Sequence, residues 1–145
     1  MKKYSFRLET VLRVRRIQEE QARFALLAAN RAALEAAAEV TRRREHLDEQ
    51  TTRTVPSEYH AFIGAHEQGA RLAGAVRTAA QVELEALEVQ VEKREHWGER
   101  AQRVASLERL DERSRDAYAI EFNRDEMKLV DDLVTSRFGR NADHA

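Results

Sequence analysis

Pro56 is the only proline in a chain of 145 residues, and the stretches on either side of it are nearly free of glycine. Residues 5–54 contain none, and in residues 76–138 Gly98 stands alone. Proline lacks an amide proton and clashes with the preceding turn, so it ends helices rather than sitting inside them. So few breakers predict two long helices joined near Pro56. A short connection returns the second helix along the first. The fold class expected is therefore all-α, a long antiparallel two-helix coiled coil, with a short helix near the tip as a variant. Fifty helical residues span roughly 75 Å, and a two-helix hairpin has no concave interior in which to enclose a substrate. A parallel dimer of straight chains is the rival topology. The flank Thr51-Thr-Arg-Thr-Val-Pro-Ser favours a reversal instead.

The boundaries expected are helix 1 over about 5–54, a turn at 55–57, a tip segment or second-helix start at 58–75, helix 2 over 76–138, and a disordered tail at 139–145. All belong to one coiled-coil domain, 1–145. Charged residues make up 35% and aromatic residues 6%. That balance suits long helices, and with strong helix formers and a net charge of −1 it argues against disorder. There is no cysteine, hence no disulfide or thiolate metal site, which suits a reducing cytoplasm. The basic start has no apolar core like that of a signal peptide, and no apolar run reaches the ~20 residues of a membrane span. The expectation is a cytoplasmic protein with no direct membrane insertion.

The small net charge hides a slope. Residues 1–55 carry twelve basic groups against eight acidic; the remainder carries thirteen against eighteen. Lys2, Lys3, Arg7, Arg13, Arg15 and Arg16 face Glu9 alone at the start. Such an end attracts acidic surfaces, or is a solvated helix face.

Ser5 reads as the N-cap of the first helix. Glu9–Arg13, Glu19–Arg23, Glu39–Arg43, Glu99–Arg103 and Asp111–Arg115 are acid-first i,i+4 pairs that expect an exposed helical surface. On the first helix Leu26, Ala29, Ala33, Ala36, Val40, Arg43 and Leu47 form the inward seam, interrupted by Arg43. Its alanines allow a close helix approach but bury little apolar area. On the second helix Leu84, Leu87 and Val91 begin a seam that Trp97, Ala101, Val104 and Leu107 continue after a shift near Gly98. Tyr118 and Phe122 extend the apolar face. Whether the alanine seam draws a second copy into a weak homodimer is left open.

Residues 57–75 allow two arrangements. Ser57 caps a single helix that runs to Phe138, or residues 57–73 form a separate tip helix. Gly64, Gly69 and Gly74 weaken either one. Tyr59, Phe62 and Ile63 lie at i, i+3, i+4 spacing. They cap the hairpin end or present an apolar patch to a partner.

The residues of enzyme chemistry are present without their arrangement. His66-Glu67 opens like H-E-x-x-H, but Ala70 stands where the second histidine belongs. His60 and His66 do not share a helical face. The glycines at 64, 69 and 74 lack the ending of a phosphate loop, and no serine sits in a nucleophile elbow. Solvated carboxylates on a rod have no cause to acquire the shifted pKa of a catalytic acid. The expectation is no enzyme, no cofactor and no metal. Arg42-Arg43-Arg44 and the basic start could touch phosphate, as in an RNA-gripping arm. Acids interleave almost everywhere, however, and no aromatic-plus-basic surface appears, so nucleic acid is not expected as a partner.

The run Phe6-Arg7-Leu8-Glu9-Thr10-Val11-Leu12-Arg13-Val14-Arg15-Arg16-Ile17-Gln18-Glu19-Glu20-Gln21-Ala22 resembles the start of the flagellar export protein FliJ family, an F-R-L-x-x-V-L-x-x-R-x-x-Q-E-x-x-A-like pattern. Tyr59-His60-Ala61-Phe62-Ile63 looks like the family's Y-x-x-F-I segment. Residues 121–132, with Glu121, Arg124, Lys128 and Asp131, look like its charged C-terminal segment. The resemblance implies a non-enzymatic central stalk of the flagellar type III export apparatus, at the flagellar base on the inner face of the cell membrane. Its implied partners are the hexameric export ATPase, which it stimulates, the export gate membrane protein and the export chaperones. It implies ring contacts at Arg13, Arg15, Arg16 and Arg124, and gate contacts at Tyr59, Phe62 and Ile63. A generic coiled-coil scaffold and the equivalent stalk of an injection-type secretion system are the alternatives.

Overall fold

A computed structural model describes residues 3–53 and 56–142, with side chains described as far as residue 136. Among these residues the regular elements are two helices: α1, Glu9–Thr51, and α2, Tyr59–Ala142, which at 84 residues is nearly twice the 43 of α1. The fold is the all-α helical hairpin expected from the spacing of breakers. The chain divides into two compact units. One comprises Met1–Ile17 with Gln102–Ala145, the other Gln18–Ala101.

α1 starts four residues later than Ser5. The Glu9 amide donates to the Phe6 carbonyl at 3.1 Å and the Leu12 amide to the Leu8 carbonyl at 2.9 Å, so Leu8 occupies the cap position. The preceding residues stay out of the helix because Tyr4 is held against α2, as described below. α1 ends at Thr51 through its own side chains. The Asp48 carbonyl accepts from the Thr52 amide at 3.0 Å, and the hydroxyls of Thr51 and Thr52 also donate to it at 3.0 Å, so these side chains fold back on the last turn instead of continuing it. Of the expected turn, Val55 lies outside the described residues, as does Thr54 at the expected end of helix 1. Ser57 stands in a bend, and the Phe62 amide donates to the Glu58 carbonyl at 2.9 Å, so Glu58 rather than Ser57 precedes the first turn of α2.

α2 is continuous through residues 59–75, without a separate tip helix and without a new start at 76. It also runs to Ala142, past residue 138; the last residues of the expected tail, 143–145, lie outside the described residues. Three weak helix formers are tolerated because each is flanked by strong ones, and each lost contribution is small beside a helix of this length.

In the 18–101 unit the core is narrow. Ala22, Ala29, Ala33 and Val40 are buried, and Leu26, Ala36 and Leu47 are half-buried beside them. Arg43 is no breach of this seam: it turns outward and pairs with Glu39 at 2.6 Å. The inward face of α2 differs from the expected one. Ala79, Ala80, Glu83, Ala86, Gln90, Lys93 and Trp97 are half-buried, whereas Leu84, Leu87 and Val91 are exposed. The rotation follows from polar contacts between the helices. Gln90 Nε2 donates to Asn30 Oδ1 at 2.7 Å, Trp97 Nε1 to Glu19 Oε1 at 2.7 Å, and Arg100 to Gln18 Oε1 at 3.0 Å. Trp97 is thus a half-core residue, as its spacing suggested. Glu19 serves the indole of Trp97.

In the other unit Leu12 and Val104 are buried and Leu107 half-buried. Arg16 reaches Glu108 at 2.8 Å. That pair is largely exposed, so it contributes at most about 1 kcal/mol.

A Cβ built on Gly74 or Gly98 would meet nothing within 4 Å, and no glycine of α2 has a positive φ. Gly74→Ala is therefore expected to stabilise α2 by about 1 kcal/mol, read as a rise in the thermal midpoint by circular dichroism. An unchanged or lower midpoint would contradict the open surroundings of this position.

Candidate interaction surfaces

The three residues singled out at the tip lie in the first turns of α2. Tyr59, Phe62 and Ile63 are all exposed, and the Tyr59 ring stands edge-on to His60 at 5.7 Å. They divide between two directions. Phe62 lines an open groove of about 800 Å³ with Leu47, Gln50, Pro56, Ala65 and Gly69, between the end of α1 and the start of α2. Tyr59 and Ile63, one turn apart, are not among its lining residues. The groove exists because small side chains on α2 leave the space beside Leu47 unfilled. It is an apolar concavity with an aromatic ring on its wall, which suits an apolar side chain of a partner protein.

The four arginines singled out fall in the other unit. Arg13 and Arg124 are exposed and Arg15 is half-buried. Arg16 is engaged with Glu108, Nε and Nη2 both donating to one carboxylate oxygen. It offers a partner less than its sequence position suggested.

Sequence reasoning missed a cluster in this unit. The Tyr4 hydroxyl donates to Asp111 Oδ1 at 2.7 Å and lies 3.2 Å from the Asp111 carbonyl. Arg115 Nη2 pairs with the other Asp111 carboxylate oxygen at 2.7 Å, and its guanidinium lies 5.8 Å from the Tyr4 ring centre. The Tyr4 ring packs on Tyr118 at 5.5 Å, and Tyr118 on Phe122 at 6.2 Å. Asp111–Arg115 had the spacing of an ordinary surface pair; only folding brings a tyrosine 107 residues away onto it. The hydrogen bond from Tyr4, supported by Arg115, holds the Asp111 carboxyl below its ordinary 3.8. Partial burial, then the bond to Asp111 and its negative charge, push the Tyr4 phenol above the ordinary 10.0.

Beyond Phe122 every described side chain of α2, residues 123–136, is exposed. Met127, Val130, Leu133 and Val134 lie within that stretch. This is a helix face with apolar side chains and no cover, next to Arg124. Among the described residues no three His, Asp or Glu side chains gather to hold a metal ion, and no helix is long and apolar enough to cross a membrane.

The sequence model of the FliJ family, described as flagellar FliJ protein, matches residues 4–143. The chain belongs to the FliJ family. No curated protein and no solved structure matches it. Membership makes this FliJ chain a stalk-type component of flagellar protein export, in a family of non-catalytic structural parts.

The Tyr4 cluster sets a pH dependence for its unit. Asp111 has a folded pKa below its unfolded one, so its stabilising contribution is present above the unfolded value and is lost as pH falls through the folded value, below about 3.8. Tyr4 has a raised folded pKa, so its contribution is complete below 10.0 and lost as pH rises through the folded value. Tyr4→Phe keeps the ring on Tyr118 but removes the donor. It is expected to return the Asp111 carboxyl toward 3.8 and to move acid unfolding of this unit to higher pH, measured by carboxyl-carbon NMR titration. An unmoved Asp111 titration would show that the Tyr4 bond is not what holds it down.

Proposed function

We propose that this chain is a non-enzymatic central stalk. It binds and stimulates the hexameric export ATPase and couples it to the export gate membrane protein and to export chaperones. The observation that carries the reading is family membership over residues 4–143. The unit that joins residues 4–17 to 102–136 supports it, since it carries Arg13 and Arg15 on α1 and, further along α2, Arg124 within the uncovered stretch 123–136. In this reading that unit enters the ATPase ring. ATP chemistry belongs to the ring, and the stalk senses or transmits its asymmetry. The working location is the cytoplasmic face of the membrane at the flagellar base.

The tip serves the gate. Charged contacts at an interface rim tune association rate and specificity, whereas a buried aromatic anchor dominates affinity. Phe62 is the aromatic ring on the groove wall, so it is the anchor, with Tyr59 and Ile63 adding apolar area at the outer side.

The deciding measurement is export-ATPase turnover and hexamer formation with and without this protein. Stimulation of both is expected; no effect would leave a scaffold or spacer role. Phe62→Ala is expected to weaken binding to the gate's cytoplasmic domain by about 2 kcal/mol, the loss typical of a hot-spot truncation. Any single change at Arg13, Arg15, Arg16 or Arg124 should weaken ring binding less. Unchanged gate affinity for Phe62→Ala would remove the tip assignment.

A further inference from the structure

The alanine seam of the 18–101 unit takes in Leu26 and Leu47 only in part and leaves five further large aliphatic side chains outside. Leu27 and Leu34 on α1 are 54% and 73% exposed, and Leu84, Leu87 and Val91 on α2 are 57%, 41% and 51% exposed. The contacts Glu19–Trp97, Asn30–Gln90 and Gln18–Arg100 fix both the height at which the antiparallel helices meet and the faces they turn to each other. On that levelling Leu34 lies at the height of Leu84 and Leu27 at the height of Val91, with Arg31 level with Leu87 and Glu88. At 3.6 residues per turn, both groups lie about a third of a turn from the inward faces, displaced in the same sequence sense. Antiparallel helices displaced in the same sequence sense expose those residues on the same side. The five side chains therefore form one apolar side of this unit, the kind of surface that marks an interaction site.

We propose that this side is an interface between two copies of the chain, which close a four-helix bundle about a two-fold axis parallel to the helices. The charges bordering the stripe choose this occupant and this axis. α1 carries Arg23 and Arg31 beside its leucines; α2 carries Glu88 and Glu95 beside its own. A two-fold axis along the helices lays α1 antiparallel on α2 of the second copy at the same height. Arg31 then meets Glu88 of the second copy and Arg23 meets Glu95, each pair occurring twice, as an isologous interface requires. The other two-fold arrangement lays α1 on α1 and sets Arg31 against its own counterpart, a like-charge contact. The leucines supply the affinity through burial. The exposed arginine–glutamate pairs supply little energy and select the orientation, as at the flanks of a coiled-coil seam. The unit's small inner residues are complemented by large ones at the outer interface.

Sedimentation equilibrium on the full chain tests this across the micromolar range. The unchanged chain is expected to double in mass as concentration rises. The combined Leu84→Glu and Leu87→Glu variant is expected to stay monomeric there, with a dissociation constant raised at least about tenfold, which corresponds to 1.4 kcal/mol. Arg31→Glu alone should weaken association, and adding Glu88→Arg should restore it. These two positions are exposed, so the charge swap decides the matter even if the leucine variant loses helicity by circular dichroism. An unchanged chain that is monomeric throughout, including one that binds only a foreign helix here, overturns the proposal. So does a swap that fails to restore association.

Discussion

Alanine contact between the helices governs the 18–101 unit. Ala22, Ala29 and Ala33 are buried on α1, and Ala79, Ala80 and Ala86 meet that helix from α2. A seam of methyl groups brings backbones close but removes little apolar surface from water, about 0.8 kcal/mol for each carbon-sized group. It has no room for leucine at the same positions. The large aliphatic side chains of α2 are therefore displaced to its flank, and longer polar side chains such as Gln90 and Trp97 bridge at the seam's edges. A face that looks like core by composition becomes surface.

Polar contacts then do what an alanine seam does poorly, which is to specify alignment. Methyl groups pack nearly as well after a shift of one turn. The bond of Asn30 to Gln90 does not survive such a shift, and a partly buried amide left without a partner costs about 1–3 kcal/mol. Trp97 with Glu19 adds a second such constraint. In the other unit Tyr4 on Asp111 plays the corresponding part, tying a non-helical segment to one height on α2. Single polar residues that fix register at modest cost are a known device of paired helices.

The family function asks little of a site in the enzymatic sense. A stalk needs persistent helices and distinct surfaces, and both are available. Helices satisfy their own backbone hydrogen bonds, so α2 remains a helix from residue 123 to 136 although no side chain there is covered. That permits an uncovered apolar face beside Arg124 without collapse of the backbone. The tip offers a different surface, an aromatic ring beside a groove left open by small residues. Tyr59, Phe62, Ile63 and Arg124 were singled out from motif and spacing, and all four side chains are exposed. The involvement of Arg16 with Glu108 and the whole Tyr4 cluster were not legible in the sequence, because each depends on residues 92 or more positions apart.

The sequence by itself determined that there would be two helices, where the chain would break, and which family the protein belongs to. Breakers, propensity and linear motifs are local properties of the chain. Only the tertiary structure decided which side of α2 would face α1. The stripe of Leu84, Leu87 and Val91 and the stripe of Ala86, Gln90 and Trp97 both have helical spacing, and the larger aliphatic residues lie on the first. The second won because α1 offers alanines, Asn30 and Glu19 to it, and a partner's shape is not written in the periodicity of a single helix.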